Sequence, residues 1–180
     1  MNCNIYYHLR TVLIHKHEVF KAMCKCGMPI RGLLHDMSKF SPAEFITSVK
    51  YYQGTQSPIN AERKDKGYSL VWLHHKANNK HHTQYWVDLT NGKIIPVEMP
   101  WRYVVEFICD GIAAGKTYAK NRGTVWTDDN PLRHFNRADN NSIIHPATRA
   151  KICFYYTEIA NRGWDNVAKD IRHKGDYYND

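Results

Sequence analysis

Residues 35–45 read HDMSKFSPAEF, and the rest of the chain is best understood outward from this stretch. Its second half is a helix start: Ser41 can cap, Pro42 suits the first helical position with its preset φ, and Glu44 completes a capping box. Its first half sets an imidazole beside a carboxylate, two side chains that can point at one divalent ion. In a chain with 11 histidines an adjacent His and Asp carries little by itself, so the flanking residues must supply the argument.

Upstream, Val12, Val19, Ala22 and Met23 recur at helical spacing over residues 6–23, Gly27-Met28-Pro29 ends that helix, and His15 lies on its apolar stripe. A second short helix is expected over residues 30–39, with the break just after Lys39. Residues 53–67 are polar, contain Ser57-Pro58 and the charged run Arg63-Lys64-Asp65-Lys66, and read as a long surface loop of the length that often serves as a lid. Helical pattern resumes at Ser69 and runs through WLHHKANNKHHTQYW, and Asn91-Gly92 marks a turn or hairpin. Pro100 opens a strong helix through Lys120, and shorter helices follow over residues 131–135, 146–160 and 165–173. The expected fold is all-α, a helical bundle with a long loop and at most a minor hairpin.

With 180 residues and 43% hydrophobic content, the chain can bury one real core, and its length favours a single domain. Nothing approaches the roughly 18 consecutive apolar residues of a membrane span, and MNCNIYYHLR lacks the apolar run of a signal peptide, so a soluble, cytoplasmic protein without a membrane partner is expected. Five cysteines, an odd number, argue against a disulfide framework, and Cys24 and Cys26 have no second pair at zinc-site spacing. The net charge of +8 welcomes an anionic partner without choosing between a nucleotide, a nucleic acid and a cellular anion.

His15 on the first helix, His35 and Asp36 on the second and Asp110 on the long later helix can converge on one ion, as inward-facing residues of different helices do in bundles. Asp110 shares its face with Tyr103, Glu106, Phe107 and Ala114, where an unpaired charge would be costly. In HHKANNKHH, a continuous helix would place His74, His75, Asn78, His81 and His82 on one polar face, from which two histidines can complete a second metal site. A break at Asn78-Asn79 would leave the His pairs flanking a loop, still able to converge.

The order His, His-Asp, two further His, then Asp resembles the HD-domain metal-dependent phosphohydrolases, an all-helical superfamily, and the later histidines resemble its dinuclear members. HDMSKFSPAEF, WLHHKANNKHHTQYW and the segment from Met99-Pro100 through Glu106 to Asp110 are similar to a small phage and bacterial family of HD-like proteins. The resemblance runs from about Thr11 to the helix after His145. It implies one HD-like domain over residues 1–180, a metal-site core over about 11–120, C-terminal helices over 131–175, and residence in the cytoplasm of a bacterium or of a phage-infected host.

Carried over by position, the resemblance makes His15, His35, Asp36 and Asp110 metal ligands, with His17 as the competing first histidine on a neighbouring stripe. His75 and His82 are favoured as the later ligands, His74 and His81 as outer or substrate contacts. Lys39, three residues after Asp36, matches a lysine that holds a substrate phosphate. The implied cofactor is one or two divalent ions, Mn, Mg, Co, Zn or Fe, which neutralise phosphate oxygens and activate water near neutral pH. Glu106, one turn before Asp110, is placed as a general base or, preferably, as an acceptor for a ligand histidine. Lys116, with Arg31 or Lys76, can extend the positive surface, though cations on helices are mostly just solvated. The aromatic pairs Tyr51-Tyr52, Tyr85-Trp86 and Tyr155-Tyr156 read as core before they read as base-stacking platforms.

Three functions follow. The first is a metal-dependent phosphohydrolase, a nucleotidase or phosphodiesterase, acting on an anionic phosphate-containing small molecule. The second is a di-iron oxygenase of HD type, using the same ligand order on a small substrate. The third is a non-catalytic protein that binds a nucleotide or nucleic acid. Homo-oligomerisation stays open.

Overall fold

The protein is described from a computed structural model, which covers residues 2–137 and 143–175. It is all-α with a single hairpin among the described residues, as expected from the sequence. Helix α1 (Asn2–Lys25) closes at Gly27, whose φ of +80° lets Met28 N–H reach back to Met23 C=O at 2.9 Å, the bond that seals a Schellman end. Helix α2 (Pro29–Leu34) then folds back along α1. The approach is close because position 32 is glycine: a Cβ there would press on Met23 Cβ and Phe20 Cα. This contact brings His35 and Asp36 beside His15.

The helix expected over residues 30–39 is broken. Asp36 adopts a left-handed conformation with φ of +53°, and the chain continues as a 3-10 turn over Met37–Phe40 before α3 (Pro42–Lys50). Only Gly, Asn and Asp adopt that conformation readily, and here it ends α2 while leaving the Asp36 carboxylate buried. Ser41 caps α3 as expected, accepting from Glu44 N–H. Glu44 does not complete the box: Ser41 N–H bonds Ser38 C=O, and the Glu44 carboxylate is used elsewhere.

The long loop expected over residues 53–67 is not present. Helix α4 (Pro58–Lys66) occupies most of it, leaving a short connection before it. The charged run has no apolar stripe, but Glu62 is fully buried and accepts hydrogen bonds from Ser69 Oγ (2.5 Å), Lys66 Nζ (3.1 Å) and Val71 N–H (3.3 Å). One buried acid, satisfied by three donors, anchors a helix that hydrophobic periodicity cannot reveal. Helix α5 (Leu70–Asn78) stops where the sequence allowed a break, with Asn79 extended, and a 3-10 turn (Thr83–Tyr85) follows. The strands β1 (Val87–Thr90) and β2 (Lys93–Pro96) pair antiparallel from Val87↔Pro96 to Thr90↔Lys93, turning through Asn91-Gly92, both at positive φ.

Helix α6 (Trp101–Arg122) is the central strut, followed by α7 (Asn130–Arg137), α8 (Pro146–Arg162) and α9 (Trp164–Gly175). One side of α6 carries Val104, Val105, Ile108, Cys109 and Ile112 into a core shared with Val19 and Met23 of α1, Ile152 and Ile159 of α8, and Ile171 of α9. Its other side carries Glu106 and Asp110 towards His15 and His35. The Tyr156 hydroxyl reaches α6 at Gly111, next to that second side, and a Cβ there would collide with it. Gly111→Ala gains helix propensity of about 1 kcal/mol yet must displace a buried tyrosine, at a cost of about 1–3 kcal/mol. A net loss of stability by urea denaturation is the expected result; a gain would show that Tyr156 yields freely. The four described cysteines are free, and no described helix is long and apolar enough to cross a membrane.

Candidate metal centre

The break at Asp36 places its carboxylate between two sets of histidines, with each oxygen turned to a different set. Oδ2 lies 3.2 Å from His35 Nε2, whereas Oδ1 lies 3.5 Å from both His75 Nε2 and His81 Nε2. Asp110 spans the same gap: its Oδ1 is 3.0 Å from His15 Nε2 and 3.7 Å from His35 Nε2, and its Oδ2 is 3.7 Å from His81 Nε2. His82 packs against His81 with ring centroids 4.1 Å apart and the rings tilted by 47°. Three groups of potential ligand atoms result: His15, His35, Asp36 and Asp110 on one side, Asp36, His75, His81 and His82 on the other with Asp36 common to both, and a third, His35, His81 and Glu106, that spans the two through the outer edges of the rings.

The donor atoms converge without satisfying one another. His15 Nε2, His35 Nε2, His81 Nε2, His82 Nε2 and both Asp36 oxygens are buried and lack a hydrogen bond of good geometry, close as they lie to their ionic neighbours. Asp36 Oδ2 has the Lys39 ammonium 2.6 Å away, but buried polar atoms are normally paired, so the five others in one pocket require an explanation. A divalent ion provides it: imidazole nitrogens and carboxylates form a donor set suited to first-row metals, and the residues therefore fit such an ion.

The far edges of the rings are held. Glu106 Oε1 accepts from His35 Nδ1 at 3.0 Å and lies 3.3 Å from His81 Nδ1, while its Oε2 accepts from Arg31 Nη1 at 2.9 Å. Glu44 does the same with two oxygens, accepting from His74 Nδ1 at 2.8 Å and from His75 Nδ1 at 2.9 Å. A carboxylate on Nδ1 fixes the tautomer that leaves Nε2 available, the usual support behind a metal-bound histidine. Asn79 adds to it by donating to His75 C=O at 2.8 Å and to Ser38 Oγ at 2.7 Å.

Charge in the pocket is strongly coupled. Burial opposes ionisation of Asp36, but the cations of His35 and Lys39 hold its carboxyl well below the usual carboxylate range. Burial likewise opposes a charge on His35, yet the Asp36 carboxylate, the nearby Asp110 and the hydrogen bond to Glu106 hold it well above an ordinary histidine. His15 and His82 go the other way, both lowered chiefly by burial. Burial works against the Glu106 carboxylate, and its bonds to His35 and His81 pull it down to about 2.

Of the residues expected to form the site, His15, His35, Asp36, His75, His82 and Asp110 all come together. His15 is buried beside the cluster, whereas His17 is exposed and is not brought to it. His81 departs from expectation: the break at Asn79 turns it inward, and it belongs among the potential ligands, whereas His74 stays at the rim on Glu44. Lys39 Nζ lies 2.6 Å from Asp36 Oδ2. Lys116 is not brought to the site and instead stacks 4.6 Å above the Trp126 ring. Glu44 carried no signal beyond its capping pattern. His8 was also missed: two turns before His15, it packs against Phe45 and Tyr52, and burial together with the Lys39 charge lowers its pKa to about 4.

The fold and site define an all-helical protein whose core holds a histidine–carboxylate cluster with the spacing that could hold a metal ion. Residues 4–157 match the model of DUF5662, a family of unknown function, and the chain belongs to that family. No curated protein and no solved structure matches it.

Proposed function

We propose that the protein is a metal-dependent phosphohydrolase acting on a nucleotide or another phosphoester through two divalent ions that share Asp36. The observation carrying this reading is the division of one buried carboxylate between two sets of histidines, of which His15, His35, His81 and His82 hold Nε2 buried without a hydrogen bond. Such ions, when bound, neutralise phosphate oxygens and lower the pKa of the attacking water. The chain's part is to place the ligands and the substrate. Glu106 and Glu44 orient four of the histidines through Nδ1, which favours an orienting role for Glu106 over general-base work. Lys39, kept cationic by Asp36 and Asp110 despite its partial burial, is the charge beside the cluster that can take a substrate phosphate. The net charge of +8 attracts such an anion to the surface.

The same donor set suits iron, so a di-iron oxygenase is the second reading. Metal analysis of freshly purified protein, paired with a turnover screen of nucleotides and phosphodiesters in manganese, magnesium, cobalt and zinc, separates them. Two ions per chain with phosphate release is the expected result. Two irons with oxygen consumption would transfer the site to oxygenase chemistry, and tight nucleotide or nucleic-acid binding without turnover would make the protein a binder.

A further inference from the structure

A cleft of about 740 Å³ opens between the start of α2 and the end of α5, and it does not coincide with the exposed side of the metal centre. That exposed side is marked by Asp110 and Lys39, whose side chains are 19% and 28% accessible. Neither lines the cleft, nor does His15. The cleft instead reaches the centre from the other side, at Asp36, His81 and Glu106, where Glu106 holds the outer nitrogens of His35 and His81.

Its walls have a definite chemistry. Arg31, part-exposed, reaches Glu106 with Nη1 and lies 4.5 Å above the Tyr103 ring. Lys80 is exposed on the opposite wall and has no carboxylate partner among the described residues. The two acids on the lining, Asp36 and Glu106, already face the histidines and cations of the centre. Met28, Ile30 and Leu34 supply an apolar face, Ile30 being 74% exposed and Leu34 63%. The volume falls in the range of about 300–1,000 Å³ typical of small-molecule sites, and two cations over an apolar wall complement an amphipathic anion.

We infer that this cleft, which meets the centre at Asp36, His81 and Glu106 on the side away from Lys39 and Asp110, is a second ligand site for a small organic anion with an apolar body, and that its ligand acts on the centre through Arg31 and Glu106. An anion that draws Arg31 away leaves Glu106 with only the two histidines to serve, and their hold on metal changes. The binding half of the inference stands without the proposed function; the coupling half rests on the metal reading.

The test uses anilinonaphthalene sulfonate, a fluorescent anion of this chemistry, titrated into the full-length protein. Saturable binding of one probe per chain is expected, weakened roughly tenfold, about 1.4 kcal/mol, by Ile30→Glu and by Lys80→Glu. Both positions are exposed, so both variants should keep the wild-type circular dichroism. Absence of saturable binding, or an affinity unchanged in both variants, overturns the site. Manganese affinity measured with and without saturating probe is expected to differ by about threefold or more in the wild type and to be equal in Arg31→Gln, because a coupling free energy must act in both directions. Equal manganese affinity in the wild type overturns the coupling. If no manganese binds at all, the metal reading and the coupling fall together, and the probe titration still decides the site.

Discussion

Asp36→Asn is expected to weaken both metal ions at once, each by more than about 100-fold, and to remove hydrolysis with them. The threshold follows from the outer partners of metal ligands, whose loss alone costs about 10- to 100-fold in affinity, so loss of a shared inner carboxylate must cost more. The amide keeps the volume but offers one weak oxygen where the carboxylate presents two, one to the His35 side and one to the His75–His81 side. Asparagine is chosen over alanine because the residue sits at φ of +53°, which Asn tolerates and which costs Ala about 1 kcal/mol. His15→Ala and His82→Ala, each confined to one ligand group, are the controls and should each remove a single ion. Metal analysis with calorimetric titration reads the difference: two ions in the wild type, one in each histidine variant, neither in Asp36→Asn. An Asp36→Asn protein that keeps one tight ion would mean that Asp36 serves one group only and that the centre is not built around it.

The parts of this arrangement that were readable from sequence are those written locally. Ser41-Pro42, Pro100 and Pro146 start helices, Gly27 stops one, Asn91-Gly92 turns a hairpin, and the apolar stripe of α1 carries His15 inward and leaves His17 outside. What stayed hidden depends on tertiary partners. Helix α4 is held by Glu62 and donors up to nine residues away, a pattern that composition presents as a loop. Glu44 satisfies every local rule for a cap while its carboxylate answers to His74 and His75 on another helix. The choice of His81 over His74 depends on a backbone break at Asn79, which periodicity allowed but could not select. Lys116 has the right charge on the right helix, yet the indole of Trp126 takes it.

Glu106→Ala should be the most damaging change outside the ligands themselves, destabilising the metal-free protein by about 3–5 kcal/mol, the cost of removing one partner from a buried ion-pair network. Three donors lose their acceptor together: Arg31 Nη1, His35 Nδ1 and His81 Nδ1. The two histidines belong one to each of the two groups that share Asp36, so both ions should also weaken, here by about 10- to 100-fold. The acid limb of the stability curve identifies the cause. The Glu106 carboxyl is pulled from an ordinary 4.5 to about 2, so its contribution is fully present above pH 4.5 and is lost as pH falls through the folded value. His35, raised in the fold, contributes below its ordinary 6.5 and loses that contribution only as pH rises, so it cannot imitate the acid loss. Urea denaturation of wild type and Glu106→Ala at pH 7 and pH 3 should therefore show the gap between them shrinking by roughly 2 kcal/mol in acid. A gap of constant size would mean that Glu106 acts by filling space, and the support assigned to its charge behind His35 and His81 would fall.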